Sequence, residues 1–118
     1  MIVLLNHMVK YNQIDLTFSA LADPTRRQIV ERLLQGDATV SELAAPHDMS
    51  MPAVMKHVGK LVDAGLIERK KEGRVVTCSL RTDPLSDASA WLDHHLAFWN
   101  SRLDALDRYL SEQKKEDR

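Results

Sequence analysis

Two short helices, predicted one directly after the other, constrain the fold of this chain more than any other feature. Thr39 and Glu42 have the spacing of a capping box, which predicts a helix over Val40–Ala45. Pro46 breaks that helix. A second helix is predicted over Ser50–Gly65, with serine as its N-cap, proline in its first turn and glycine at its end. Two short helices joined by a tight turn form a helix-turn-helix motif.

The second of these helices is amphipathic. Its apolar stripe has helical spacing and consists of Val54, Val58, Leu61 and Val62. The opposite side is small near the start of the helix and basic further along, and it carries Pro52, Ala53, Lys56, His57 and Lys60. Two interpretations fit this face: it enters a DNA major groove, or it is an ordinary solvated surface. For His57 the alternative is partial burial against the preceding short helix.

The chain then changes to the period of β-strands. Leu66–Lys71 and Arg74–Leu80 are predicted to form a hairpin around a turn at Glu72 and Gly73. One face of its second strand carries Val76, Cys78 and Leu80. The hairpin tip carries Lys70, Lys71 and Arg74. A basic hairpin after a helix-turn-helix motif is typical of a wing that contacts phosphates or a minor groove, although alone it is equally a charged edge that prevents aggregation.

Basic charge is concentrated in the helix and hairpin just described. The net charge of the chain is only -1. Residues 50–81, however, carry seven Lys/Arg against three Asp/Glu, while acidic residues outnumber basic ones on both sides. A local patch of this kind sets the field that a phosphate backbone experiences, so the charge pattern favours nucleic-acid binding.

Helices are also predicted on the N-terminal side. Residues 1–12 are expected to be an extension, and a first helix is predicted over about 13–21, with apolar residues Ile14, Leu16, Phe18 and Leu21. Asp23 and Pro24 predict the start of a second helix, which runs to about Leu34 and ends at Gly36. Its predicted inward residues are Ile29, Val30, Leu33 and Leu34. Its predicted outward residues are Arg26, Arg27, Glu31 and Arg32.

The last predicted helix, over about 85–111, carries a leucine-rich stripe with alternating steps of four and three residues. The stripe consists of Leu92, Leu96, Trp99, Leu103, Leu106 and Leu110. A small domain has too little surface to cover it from within, so we expect these residues to form a dimer interface. The alternative is that the first helix alone covers the stripe.

Length and composition define the class of protein. The chain has 118 residues, and we expect one domain over 13–118. Its one cysteine, Cys78, excludes an internal disulfide and fits a reducing cytoplasm, and no segment is long enough to span a membrane. The predicted fold is mainly α with a small β-hairpin: a winged helix-turn-helix of about five helices plus a two-stranded wing.

Several segments carry a family resemblance, in the right order and spacing. They are Leu21–Val30, Val40–Ala44, Met49–Val58 and Leu61–Ile67, followed by Gly73 and Arg74 at the wing tip. Together they resemble the ArsR (arsenic-repressor-type) winged-helix regulators over roughly residues 14–110. The resemblance implies a homodimeric repressor that binds an imperfect palindrome through its fourth helix and dimerises through its first and last helices.

The metal sites of that family are not complete here. In place of a cysteine pair after Glu-Leu in the third helix, this chain has Ala44 and Ala45. Asp93 and His94-His95 supply half of another site type, but Leu106 and Tyr109 stand where its second half falls. Because neither is a usual zinc ligand, we expect no metal site and no cofactor. The inducer is left open.

The sequence therefore predicts a dimeric repressor that binds double-stranded DNA. Base contacts are expected from Pro52, Ala53, Lys56 and His57, and backbone positioning from Ser50, Met51 and Lys60. Flanking phosphates are expected to meet Lys70, Lys71 and Arg74. No phosphate loop or nucleophile elbow suggests an enzyme. The alternative function is a protein-interaction module that dimerises through the last helix without specific DNA binding.

Overall fold

Five helices and three short strands make up the computed structural model, which describes residues 13–116. In chain order the elements are α1 (residues 13–21), α2 (Pro24–Leu33), β1 (Ala38–Thr39), α3 (Val40–Ala44), α4 (Met51–Asp63), β2 (Ile67–Glu72), β3 (Val75–Leu80) and α5 (Asp83–Glu116). This order confirms the mainly helical winged helix-turn-helix fold. The extension predicted for residues 1–12 lies outside the described residues.

Side-chain caps start three of the helices where the sequence predicts them. The Asp23 carboxylate accepts a hydrogen bond from the backbone N–H of Arg26, at 3.1 Å. Ser50 accepts one from the backbone N–H of Ala53, at 3.3 Å. The capping box of α3 is complete, because each side chain of Thr39 and Glu42 accepts from the other's backbone N–H. These caps fix where α2, α3 and α4 begin.

The sheet has one strand more than predicted. The order is β1-β3-β2, and both pairings are antiparallel. The wing is a hairpin, as predicted, but its turn lies one residue later: Gly73 and Arg74 form it, between the paired residues Glu72 and Val75. Gly73, the first turn residue, has φ +62°. Arg74, the second, does not have a positive φ, since only glycines do within the described residues. Glycine is therefore needed only at the first turn position, as in a type II′ turn.

The described residues divide into two compact units, 13–88 and 89–116. The first unit contains the core, in which Ile29, Leu43, Leu61 and Leu66 are each 1% exposed or less. Helix α4 contributes Val54, Val58 and Leu61 to this core, and α5 contributes Ala88 at its N-terminal end. The predicted apolar stripe of α4 is therefore the face that anchors it.

Two predicted side-chain positions in this unit are wrong. Leu34, predicted to face inward, is 63% exposed because it follows the last turn of α2. In α1, Thr17 and Ala20 face the core, while Leu16 is 48% exposed. Arg26, predicted to point outward, is half-buried: its guanidinium donates to the carbonyls of Ser19 and Ala20 at the end of α1.

The second unit is the remainder of α5. The helix begins at Asp83 and ends at Glu116, so it is longer at both ends than the predicted 85–111. The six residues of its leucine-rich stripe are each 40–58% exposed. Within residues 13–116, no helix combines the length and apolar character needed to cross a membrane.

Candidate nucleic-acid interface

Helix α4 presents a basic outer face on a rigid base. Val54, Val58 and Leu61 are completely buried, so rotation of the helix about its axis would expose core residues. On the opposite side the side chains of Lys56 and Lys60 are exposed. Neither lysine forms an ion pair among the residues that the structure describes. Both ammonium groups are therefore available to phosphates.

The first turn of α4 offers contact surface with few hydrogen-bonding groups. Met51 is 46% exposed and Pro52 is exposed, while Ala53 is half-buried. The Ser50 hydroxyl oxygen accepts the capping hydrogen bond, so its own hydrogen stays free to donate. Small and apolar side chains here allow a base edge to approach the backbone closely.

His57 is less exposed than the two lysines of this face. Its side chain is only 22% exposed, and its Nδ1 is 3.7 Å from an Asp23 carboxylate oxygen and 3.4 Å from Arg26 Nη1. The polar partners of His57 are thus on α2, whereas the alternative interpretation expected burial against α3. Its remaining exposed surface still borders the outer face of α4, and its predicted contact with DNA stays a prediction.

Asp23, Arg26 and His57 form a small polar network that the sequence did not predict. The N–H of Arg26, and secondarily the charges of His57 and Arg26, hold the pKa of Asp23 below its usual value of 3.8, although desolvation opposes them. Arg26 also binds the end of α1, so the network joins α1, α2 and α4. Only the cap at Asp23 left a local signal in the sequence, because His57 follows Arg26 by 31 residues.

The wing carries the predicted cations on exposed positions. The side chain of Lys70 is 79% exposed and pairs with Glu72 at 3.3 Å, while Lys71 and Arg74 are exposed. Arg69 is also exposed and was missed. Arg69 on β2 lies opposite Cys78 on β3 in the strand register. Burial raises the pKa of the Cys78 thiol above its ordinary value. Cys78 is fully buried, as its predicted inward position requires.

The histidines of α5 lie against aromatic and backbone groups. The His95 ring stacks on Trp91 with centroids 4.1 Å apart, and its Nδ1 is 2.8 Å from the Trp91 carbonyl oxygen. His94 meets His95 edge-on. Over the described residues, no three His, Cys, Asp or Glu side chains are grouped so that they could hold a metal ion.

A helix-turn-helix with an exposed basic second helix and a basic β-hairpin defines the class of winged helix-turn-helix proteins. Comparison with known proteins agrees. The helix-turn-helix domain family matches residues 21–70. The transcriptional repressor SdpR of Bacillus subtilis is 35% identical over 75 residues, which cover 64% of this chain and 83% of SdpR.

Solved structures give the same result. The ArsR family transcriptional regulator RHA00566, solved as a crystal structure, is 48% identical to this chain, with a TM-score of 0.73. The match covers 76% of this chain and 93% of RHA00566. The homodimeric winged helix-turn-helix DNA-binding domain Mb0332 of Mycobacterium bovis shares the fold at 21% identity, with 84% and 89% coverage and a TM-score of 0.60. The chain belongs to the ArsR family of winged helix-turn-helix transcriptional regulators, which are DNA-binding proteins.

Proposed function

We propose that this protein is a homodimeric transcriptional repressor that binds an imperfect palindrome near its own or a neighbouring operon. The observation that carries the proposal is the outer face of α4, where exposed lysines stand on a helix anchored by three fully buried residues. These lysines have no ion-pair partner within residues 13–116. Such a helix brings fixed positive charges to a DNA groove with little loss of freedom on binding.

Each part of the interface has a distinct role in this proposal. Pro52, Ala53, Lys56 and His57 face base edges, and Ser50, Met51 and Lys60 hold the helix on the DNA backbone. Lys70, Lys71 and Arg74 contact phosphates that flank the major groove. The negative charge of the remaining chain does not oppose binding, because the field at the DNA is dominated by the nearest charges.

Dimerisation follows from the exposed stripe of α5. Six large apolar side chains, each at least 40% exposed, leave a continuous surface that water solvates poorly. Support comes from Mb0332, which has the same fold and is homodimeric. A symmetric dimer presents two α4 helices and therefore requires two related half-sites, which is the reason to expect a palindromic operator. SdpR is itself a repressor, and this relationship supports repression.

Lys60→Ala tests the DNA-binding face directly. If Lys60 neutralises a phosphate, the variant binds all duplexes more weakly, and the slope of log affinity against log salt falls by about one unit per bound subunit. Lys114→Ala, which removes an exposed lysine from the last turn of α5, is the matched control and should leave the slope unchanged. An unaltered slope in Lys60→Ala would exclude this phosphate contact.

A gel shift against the upstream DNA of the gene separates the repressor from the interaction module. Tight binding that random DNA competes poorly supports the repressor. Absence of any shift at low salt supports a module that only dimerises. Metal ions and small molecules are then added to the protein–DNA complex. A compound that releases the DNA is identified as an inducer.

A further inference from the structure

Gly59 is the one glycine of this chain that lies within a helix. The other three are Gly36, Gly65 and Gly73, with φ values of +142°, +76° and +62°. Residues with a side chain rarely adopt these backbone conformations. Gly59 has an ordinary helical backbone in the third turn of α4. A glycine at such a position weakens the helix relative to alanine, because it loses more backbone freedom on folding.

Packing within the described part of the chain does not require this glycine. Among residues 13–116, a Cβ built at position 59 has no heavy atom within 4 Å apart from its two chain neighbours and the nearby backbone of its own helix. An alanine therefore fits without moving any neighbour. The isolated subunit thus contains a residue that costs helix stability and that no packing contact in the described chain requires.

Position 59 lies on the proposed DNA-binding face. It follows Pro52 by seven residues and Lys56 by three, which places the three on one side of the helix. The residues that anchor α4, which are Val54, Val58 and Leu61, lie on the other side. Exposed lysines precede and follow the glycine. The missing side chain therefore lies between Lys56 and Lys60 on the proposed DNA-binding face.

We propose that Gly59 is a positioning residue that lets the backbone of α4 approach the major groove closely at its third turn. A methyl group at this position would meet the groove before the first turn of α4 reaches the base edges. This inference rests on the proposed function, because it requires that α4 enters DNA. It predicts that stability and specific binding respond to Gly59→Ala in opposite directions.

The probe is a duplex that the wild-type protein selects from a random-sequence pool, with an unselected duplex as the internal control. In Gly59→Ala we expect the melting temperature to rise by roughly 2 to 6 °C, as alanine improves the helix. Affinity for the selected duplex should fall by about 5- to 100-fold, which is the range for one methyl too many in a packed interface. Gly59→Leu should bind it more weakly still. Weak binding to the unselected duplex, which depends on the lysines, should not change.

Ser101→Ala is the matched control for stability. It raises helix propensity at an exposed position of α5 and should leave DNA binding as it is. The proposal is overturned if Gly59→Ala binds the selected duplex as tightly as the wild type, or if it melts at a lower temperature. Failure of the wild type to select any duplex would instead overturn the DNA-binding function and this inference with it.

Discussion

At the scale of single residues, Asp23 makes two interactions, of which the sequence predicts only one. Its carboxylate caps α2, and it also lies 3.7 Å from His57 of α4. The cap is predictable because it depends on residues within one turn. The contact with His57 depends on how α4 packs on α2, and no local pattern encodes it. The same reason explains why Arg26 was placed outward.

Asp23→Asn isolates the charged part of this connection. Asparagine is also a good N-cap, so the variant keeps the cap and loses the negative charge. The pKa of Asp23 is lowered on folding, so its charge stabilises the native state above pH 3.8 and this contribution is lost as the pH falls through the lower native pKa. The wild type should therefore melt at a higher temperature at about pH 6, and the difference should narrow toward about pH 3.

Melting curves of both proteins across this range test the prediction. The other carboxyl groups titrate in both proteins, so the difference between them reports the Asp23 charge together with its interaction with His57. A difference that stays constant from neutral to acidic pH would show that the charge of Asp23 does not contribute.

At the scale of elements, Ser50 has two roles in α4: its side chain caps the start of the helix, and it lies on the surface that we propose to contact DNA. Ser50→Asn and Ser50→Asp each retain an N-cap, so the melting temperature should change little in either variant. The aspartate adds a negative charge where a phosphate is expected, so it should weaken DNA binding by about tenfold or more, which corresponds to like-charge repulsion of at least about 1.4 kcal/mol.

Ser50→Asn is the control, because it changes the cap without adding charge. Binding measured by fluorescence anisotropy on one labelled duplex should rank wild type and Ser50→Asn together, well above Ser50→Asp. Equal affinity of the two variants would mean that the start of α4 lies away from the DNA backbone.

The helices and the wing were predictable at this scale because capping residues, apolar periods and a turn glycine mark them locally. Strand β1 was not. It has two residues, follows Gly36 and Asp37 in a polar stretch, and exists because Ala38 and Thr39 pair with Cys78 and Thr77. A strand this short has no periodicity of its own. Only the position of its distant partner defines it.

At the scale of the whole molecule, the leucine-rich stripe predicts assembly. Leu103 is 55% exposed, and Leu103→Glu places a charge in the centre of the proposed interface. We expect a monomer by sedimentation, with operator affinity lower by about 100-fold because the second half-site no longer binds as part of the same particle. Ser101→Glu introduces the same charge at an exposed position of α5 outside the stripe, and this variant should remain a dimer.

A Leu103→Glu variant that still sediments as a dimer would exclude the stripe as the interface. A monomer that binds the operator as well as the wild type would show instead that one subunit suffices. The sequence predicted the stripe itself, since its alternating steps are local. It could not predict which surface covers it, because that depends on a second chain.

Thr39 occupies the junction between the wing and the helix-turn-helix. It is the last residue of β1, paired with Thr77 of the wing strand β3, and it is also the N-cap of α3. A tilt of the wing would thus strain the first turn of α3, so we expect the wing and the helix-turn-helix to keep one relative orientation. Their relative orientation is set during folding, so contact with DNA need not fix it again. We therefore expect weak binding to operators in which the spacing between the major-groove site of α4 and the flanking site of the wing is altered. The wing and the helix-turn-helix cannot adjust to such sites independently.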